Sequence, residues 1–66
     1  MTKSDMLDAI KLFENRQKRD NERAIDAILH DAYTTALCAL HDAIGCQSVI
    51  DEYKIQIEIM EVNGDE

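Results

Sequence analysis

The chain has 66 residues, 45% hydrophobic and 32% charged, with 14 acidic against seven basic side chains and a formal net charge of −7. A chain this short makes one domain at most and buries only about 60% of its unfolded surface, so disulfides, a metal or association must supplement a thin core. Two cysteines, no proline and only short strictly apolar runs argue against a disulfide scaffold and a membrane span. The chain starts without a basic-then-apolar leader, so reduced thiols in a cytoplasm are expected, a host's if the chain is viral.

Residues 4–14 read as a short helix. Ser4 or Thr2 can cap it, Asp5 and Asp8 suit its positive end, and Met6, Leu7, Ile10 and Phe13 recur at helical spacing, with Leu12 off that stripe. Residues 15–23 contain no apolar side chain. Stepping on from Phe13 reaches Gln17 and Asp20, and this loss of apolar phase predicts a break or bend near 19–21. Residues 22–44 are the strongest element, a second helix with a wide apolar face (Ile25, Ile28, Leu29, Leu37, Leu40, Ile44) and a ladder of alanines at 32, 36, 39 and 43. Such a ladder lets another helix approach to the short end of the usual range of about 8–10 Å. Gly45 follows it as a natural stop.

Residues 48–62 fit two templates. Ser48 with Asp51 resembles a capping box, and Val49, Ile50, Tyr53, Ile57 and Met60 make one helical face while Ile55, Ile59 and Val62 make another. Residues 53–59 also alternate as a strand would, but a lone strand needs a partner edge. Helix is the preferred reading, and an α+β fold with a C-terminal strand at 53–59 is the alternative. The fold expected is all-α: a single helical domain over 1–66, with a short N-terminal helix and an antiparallel hairpin turning at Gly45. Residues 63–66 form a frayed acidic tail, and a homodimeric bundle completes the core.

Charge is lopsided. Residues 1–23 carry six of the seven bases and a net of +1, while residues 24–66 carry −8. Arg16, Arg19 and Arg23 share a helical face beside Lys18, a stripe able to hold phosphates. Pairs such as Asp20–Arg23 make a solvated helix, or one with intersubunit salt bridges, the preferred reading of this stretch. Asp42, Asp51, Glu52, Glu58 and Glu61 can present a negative surface to a basic partner. His30, Cys38, His41 and Cys46 are the available soft or imidazole ligands, but they lack the tight paired spacings of zinc sites. Cys38 with His41 could pair as thiolate and imidazolium, but neighbours three apart on a helix rarely form a pocket.

No metal, cofactor or catalytic group is therefore expected. The residues point to a small acidic accessory factor of the phage or mobile-element kind. It would bind a protein target as a stoichiometric inhibitor or regulator of a larger host protein, one that can itself act on nucleic acid. A homodimer is expected through Ile25, Leu29, Ala32, Ala36, Leu40, Ile55 and Ile59, with no membrane contact. The alternatives are a dimeric nucleic-acid-binding regulator using the Arg16–Arg23 stripe and a structural assembly subunit.

Overall fold

The computed structural model describes residues 1–64 as two long antiparallel helices, α1 (Lys3–Leu29) and α2 (Tyr33–Asn63), in a rod of 50 × 14 × 13 Å. The described residues contain no strand, so residues 53–59 are helical and the chain is all-α. Asp65 and Glu66 of the expected acidic tail lie outside the described residues. Asn63 is the last residue of α2, and Gly64 caps it in the left-handed conformation (φ 75°).

α1 begins where a capping box closes it. The Asp5 N–H donates to the Thr2 hydroxyl and the Thr2 N–H donates to the Asp5 carboxylate, both at 3.2 Å. The Thr2 backbone N–H, and after it the Thr2 hydroxyl, hold the Asp5 carboxyl below its ordinary value by stabilising the charged form. Ser48, by contrast, caps nothing: it sits inside α2, which starts at Tyr33 without a side-chain cap.

The turn is not at Gly45. The chain reverses at His30–Ala32, where the Ala32 N–H donates to the Ala27 carbonyl (2.8 Å) and the Asp31 N–H to the Ile28 carbonyl (3.1 Å). This is a Schellman motif with Asp31 as its left-handed residue (φ 58°), a conformation that a short polar side chain tolerates. The Tyr33 hydroxyl donates to the Asp31 carboxylate at 3.2 Å and braces the turn. The segment 22–44 is therefore two helix ends joined by a turn. Gly45 lies within α2 on an exposed side, where a Cβ would meet nothing within 4 Å.

α1 does not break at 19–21 either. Its inward positions are Met6, Ile10, Phe13, Gln17, Asp20, Ala24 and Ala27, in alternating steps of four and three. Those of α2 are Ala36, Ala39, Ala43, Cys46, Ile50, Tyr53, Ile57 and Met60. Both sets follow the seven-residue repeat of a coiled coil. Gln17 and Asp20 therefore hold the phase with polar side chains. The Gln17 amide donates to the Ala43 carbonyl (3.1 Å) and to the Gln47 side chain (2.9 Å), and the Cys46 thiol donates to Asp20 (3.9 Å). Satisfied in this way, they cost the seam little and tie α1 to α2 in one register.

The core lies at one end. Met6, Ile10, Ile50 and Ile57 are buried together, with Phe13, Tyr53 and Met60 packed against them. Toward the turn the buried residues are all alanine: Ala24, Ala27, Ala36, Ala39 and Ala43. The ladder does support close packing, but between the two helices of one chain. Burying a large aliphatic side chain stabilises by about 1.5–3 kcal/mol and an alanine methyl by less than 1, so the half nearest the termini holds the hairpin together.

Candidate functional site: two opposite flanks of the hairpin

A coiled-coil pair has two flanks, one on each side of its seam. Positions one before the seam residues make one flank and positions one after make the other, and in an antiparallel pair each flank draws on both helices. The two flanks of this hairpin differ in chemistry.

The first flank is polar. Arg16, Arg19 and Arg23 line a shallow groove of about 810 Å³, facing His41, Asp42, Gly45 and Val49 across a floor that includes Asp20 and Cys46. The Arg16 guanidinium lies 5.5 Å from the centroid of the Phe13 ring. Arg23 forms an ion pair with Asp42 at 2.9 Å and approaches Asp20 at 3.7 Å. Arg19 makes no ion pair among the described residues. Gly45 faces the arginines without a side chain, which leaves the groove open. The structure thus gathers three members of the expected basic stripe and separates the fourth. Lys18 is two positions on from Arg16, which carries it round to the other flank, and it does not line the groove.

The second flank is apolar toward the turn. Ile25 and Ile28 of α1 sit beside Leu37, Leu40 and Ile44 of α2, and all five are exposed, Leu37 at 65% and Ile44 at 68%. Tyr33 extends the patch to the turn and is also exposed. Away from the turn the same flank is mostly polar, with Lys11, Glu14 and Lys18 on α1 and Gln47, Asp51, Lys54, Glu58 and Glu61 on α2, and with the exposed Leu7 near the termini. Contiguous exposed apolar patches of this kind mark association surfaces more often than scattered apolar residues do.

The expected self-association set divides between these regions. Ile25 and Leu40 are in the patch and Leu29 is exposed beside the turn. Ala36 is buried inside the hairpin and Ala32 is half-buried at the turn, so neither presents a free surface. Ile55 and Ile59 are exposed on the outer side of α2, nearer the termini, and Val62 continues them. Reasoning from sequence missed Ile28, Leu37 and Ile44 as a surface because it counted them with the buried alanines on one helix face. A 3.5-residue repeat on each side of Asp31 separates the two sets.

The acidic residues do not form one face. Asp42 is engaged by Arg23 on the polar flank, whereas Asp51, Glu52, Glu58 and Glu61 spread over the exposed sides of the second half of α2. Asp51 accepts from the Gln47 amide (2.7 Å), and Glu61 pairs with Lys3 (2.8 Å) across the helix ends. His30 is in the turn, Cys38 is exposed and Cys46 half-buried. No three His, Cys, Asp or Glu side chains among the described residues are grouped as metal ligands would be. No helix among them is long and apolar enough to cross a membrane. No family model, curated protein or solved structure matches the chain.

Proposed function

We propose that this chain is a stoichiometric protein-binding accessory factor, acting by contact and not by catalysis. It docks helices of a second protein on the turn half of its apolar flank. One observation carries the reading. In the turn half the interior is alanine while Ile25, Ile28, Leu37, Leu40 and Ile44 face outward. A monomer gains nothing from placing its large aliphatic side chains in water, and a binding surface gains most of its energy from them. The test compares the wild-type chain with the Leu37→Lys/Ile44→Lys variant, as tagged bait and in sedimentation velocity. The reading expects complexes with the wild type that the variant loses at unchanged helix content. Identical complexes and identical mass for the two proteins would refute it.

A second reading rests on the arginine groove, which would hold phosphates of a single nucleic-acid strand. Arg19, in an open groove beside Arg16 and Arg23 and without an ion pair among the described residues, favours it. Three phosphate contacts on a single strand give a slope of about −2 in log K against log salt. Oligonucleotide binding with that slope, abolished by Arg19→Ala, would favour this reading; binding too weak to measure at low salt would remove it.

A further inference from the structure

We infer that the arginine groove is a site for a nucleotide unit, with its phosphate on Arg19 and its base at the Phe13 end of the groove. The inference rests on the reading of that groove as a phosphate site and adds a base subsite to it. It does not depend on what the apolar flank binds.

Charge alone is a weak hold here. Three arginines face two aspartates, so the lining has a net of +1, and Arg23 is already drawn to Asp42 (2.9 Å) and Asp20 (3.7 Å). Arg19 is the arginine with neither an ion pair nor a ring contact among the described residues. The Arg23–Asp42 pair and the Asp20–Cys46 contact fix the level of α1 against α2. On that register Arg19 lies level with Gly45, Arg16 with Val49 and Phe13 with Tyr53. Arg19 therefore faces a position without a side chain. Gly45 is helical, and a Cβ there would meet nothing within 4 Å. Neither backbone conformation nor packing inside the chain calls for a glycine that a helix interior disfavours. The room it leaves beside Arg19 is room for a ligand.

Four residues farther along α2, about 6 Å at the helical rise, the groove changes character. Val49 and Phe13 are half-buried apolar walls, and the Arg16 guanidinium lies 5.5 Å from the Phe13 ring centroid. Beyond Val49 the surface continues into a cleft of about 130 Å³ lined by Val49, Glu52, Tyr53 and Gln56. The Glu52 carboxylate repels a second phosphate, so this end takes the base. Glu52 and Gln56 supply acceptors and donors for the edge of a base, while Phe13, Tyr53 and the Arg16 guanidinium supply stacking contact for its faces. One helical turn between the phosphate and the stacking contacts matches the phosphate-to-base step of a nucleotide. A free nucleotide and a single strand share this chemistry.

The test titrates three probes into the full chain at low salt: an oligodeoxycytidylate, an abasic strand of the same length and free deoxycytidine monophosphate. The base-bearing strand should bind about tenfold more tightly than the abasic one, as one stacked base contributes. Phe13→Leu should remove that difference and leave the abasic strand's affinity unchanged, whereas Arg19→Ala should remove the binding of both strands. Gly45→Leu should weaken the base-bearing strand by about tenfold with no loss of melting temperature, because leucine is the better helix former. Competition by the monophosphate at the concentration of strand it displaces supports a free nucleotide as the ligand. Competition only at far higher concentration supports a strand, with neighbouring phosphates adding to the hold. Equal affinity for the base-bearing and abasic strands would overturn the base subsite, and the phosphate reading would stand if Arg19→Ala still removed both. Strand binding that survives Arg19→Ala, or no binding of any probe, would overturn both readings of the groove.

Discussion

The two halves of this hairpin use the same seven-residue repeat to opposite ends. Near the termini the large residues are inside, with Met6, Ile10, Ile50 and Ile57 sealed by Phe13, Tyr53 and Met60. Near the turn the alanines are inside and the large residues are outside. One half spends its aliphatic side chains on holding two helices together. The other brings the helices close with small side chains and keeps its large ones exposed. Stability and association are thereby assigned to different stretches of the same rod, which makes them separable by mutation.

The largest effect expected is in the terminal half. Ile50 is 2% exposed, and Ile50→Ala should cost about 3 kcal/mol and lower the melting temperature by about 15 °C in a domain of this size. The loss should be the same at every protein concentration. Leu37→Lys should behave in the opposite way, with a loss visible by thermal melts only where association is measurable. Matching, concentration-independent losses in the two variants would erase the distinction between the halves.

Next comes the alanine seam. Ala39 has no exposed surface, and Ala39→Leu inserts a large side chain where the helices meet. Overpacking of this kind should cost about 2 kcal/mol in a denaturant titration. An unchanged midpoint would mean that the turn half has slack, contrary to close contact between its helices. Gly45→Ala should act in the other direction. Glycine inside a helix is less favourable than alanine by about 0.8–1.0 kcal/mol, and the added Cβ meets nothing within 4 Å. Stabilisation by that amount is expected; destabilisation would show that the open groove at Gly45 is a strained part of the fold.

The smallest effect concerns the helix start. Because the folded-state pKa of Asp5 is lowered, its contribution is complete above the ordinary carboxylate value of 3.8 and is lost as pH falls through the folded value. Acid titration of helicity should therefore show a component in that window that Asp5→Asn removes and Thr2→Ala only reduces, since the larger stabilisation of the carboxylate comes from the Thr2 backbone N–H. An identical acid limb in the Asp5→Asn variant would refute this assignment.

Much of the local structure was legible beforehand. Thr2 and Asp5 marked the first helix, and the spacing of Ile50, Tyr53, Ile57 and Met60 predicted a helix through the segment that also resembled a strand. The interior was misread at three places for identifiable reasons. Gly45 looked like a stop because glycine favours the left-handed conformation, yet that conformation was taken by Asp31. Gln17 and Asp20 looked like a loss of phase because they are polar, yet they occupy the seam with partners on α2. Ala36 looked like an intersubunit contact because a ladder of small residues invites a neighbour without saying which one.

Composition and periodicity by themselves pointed to an all-helical chain with an alanine-rich section and an uneven charge. These follow from backbone propensity and from spacing along a single helix, which local sequence contains. Where the chain turns, which polar side chains are inside, and that the arginines and the large aliphatic residues occupy opposite flanks were decided by tertiary structure. Each depends on how α1 lies against α2, and the seam between helices repeats every 3.5 residues, whereas one isolated helix repeats every 3.6.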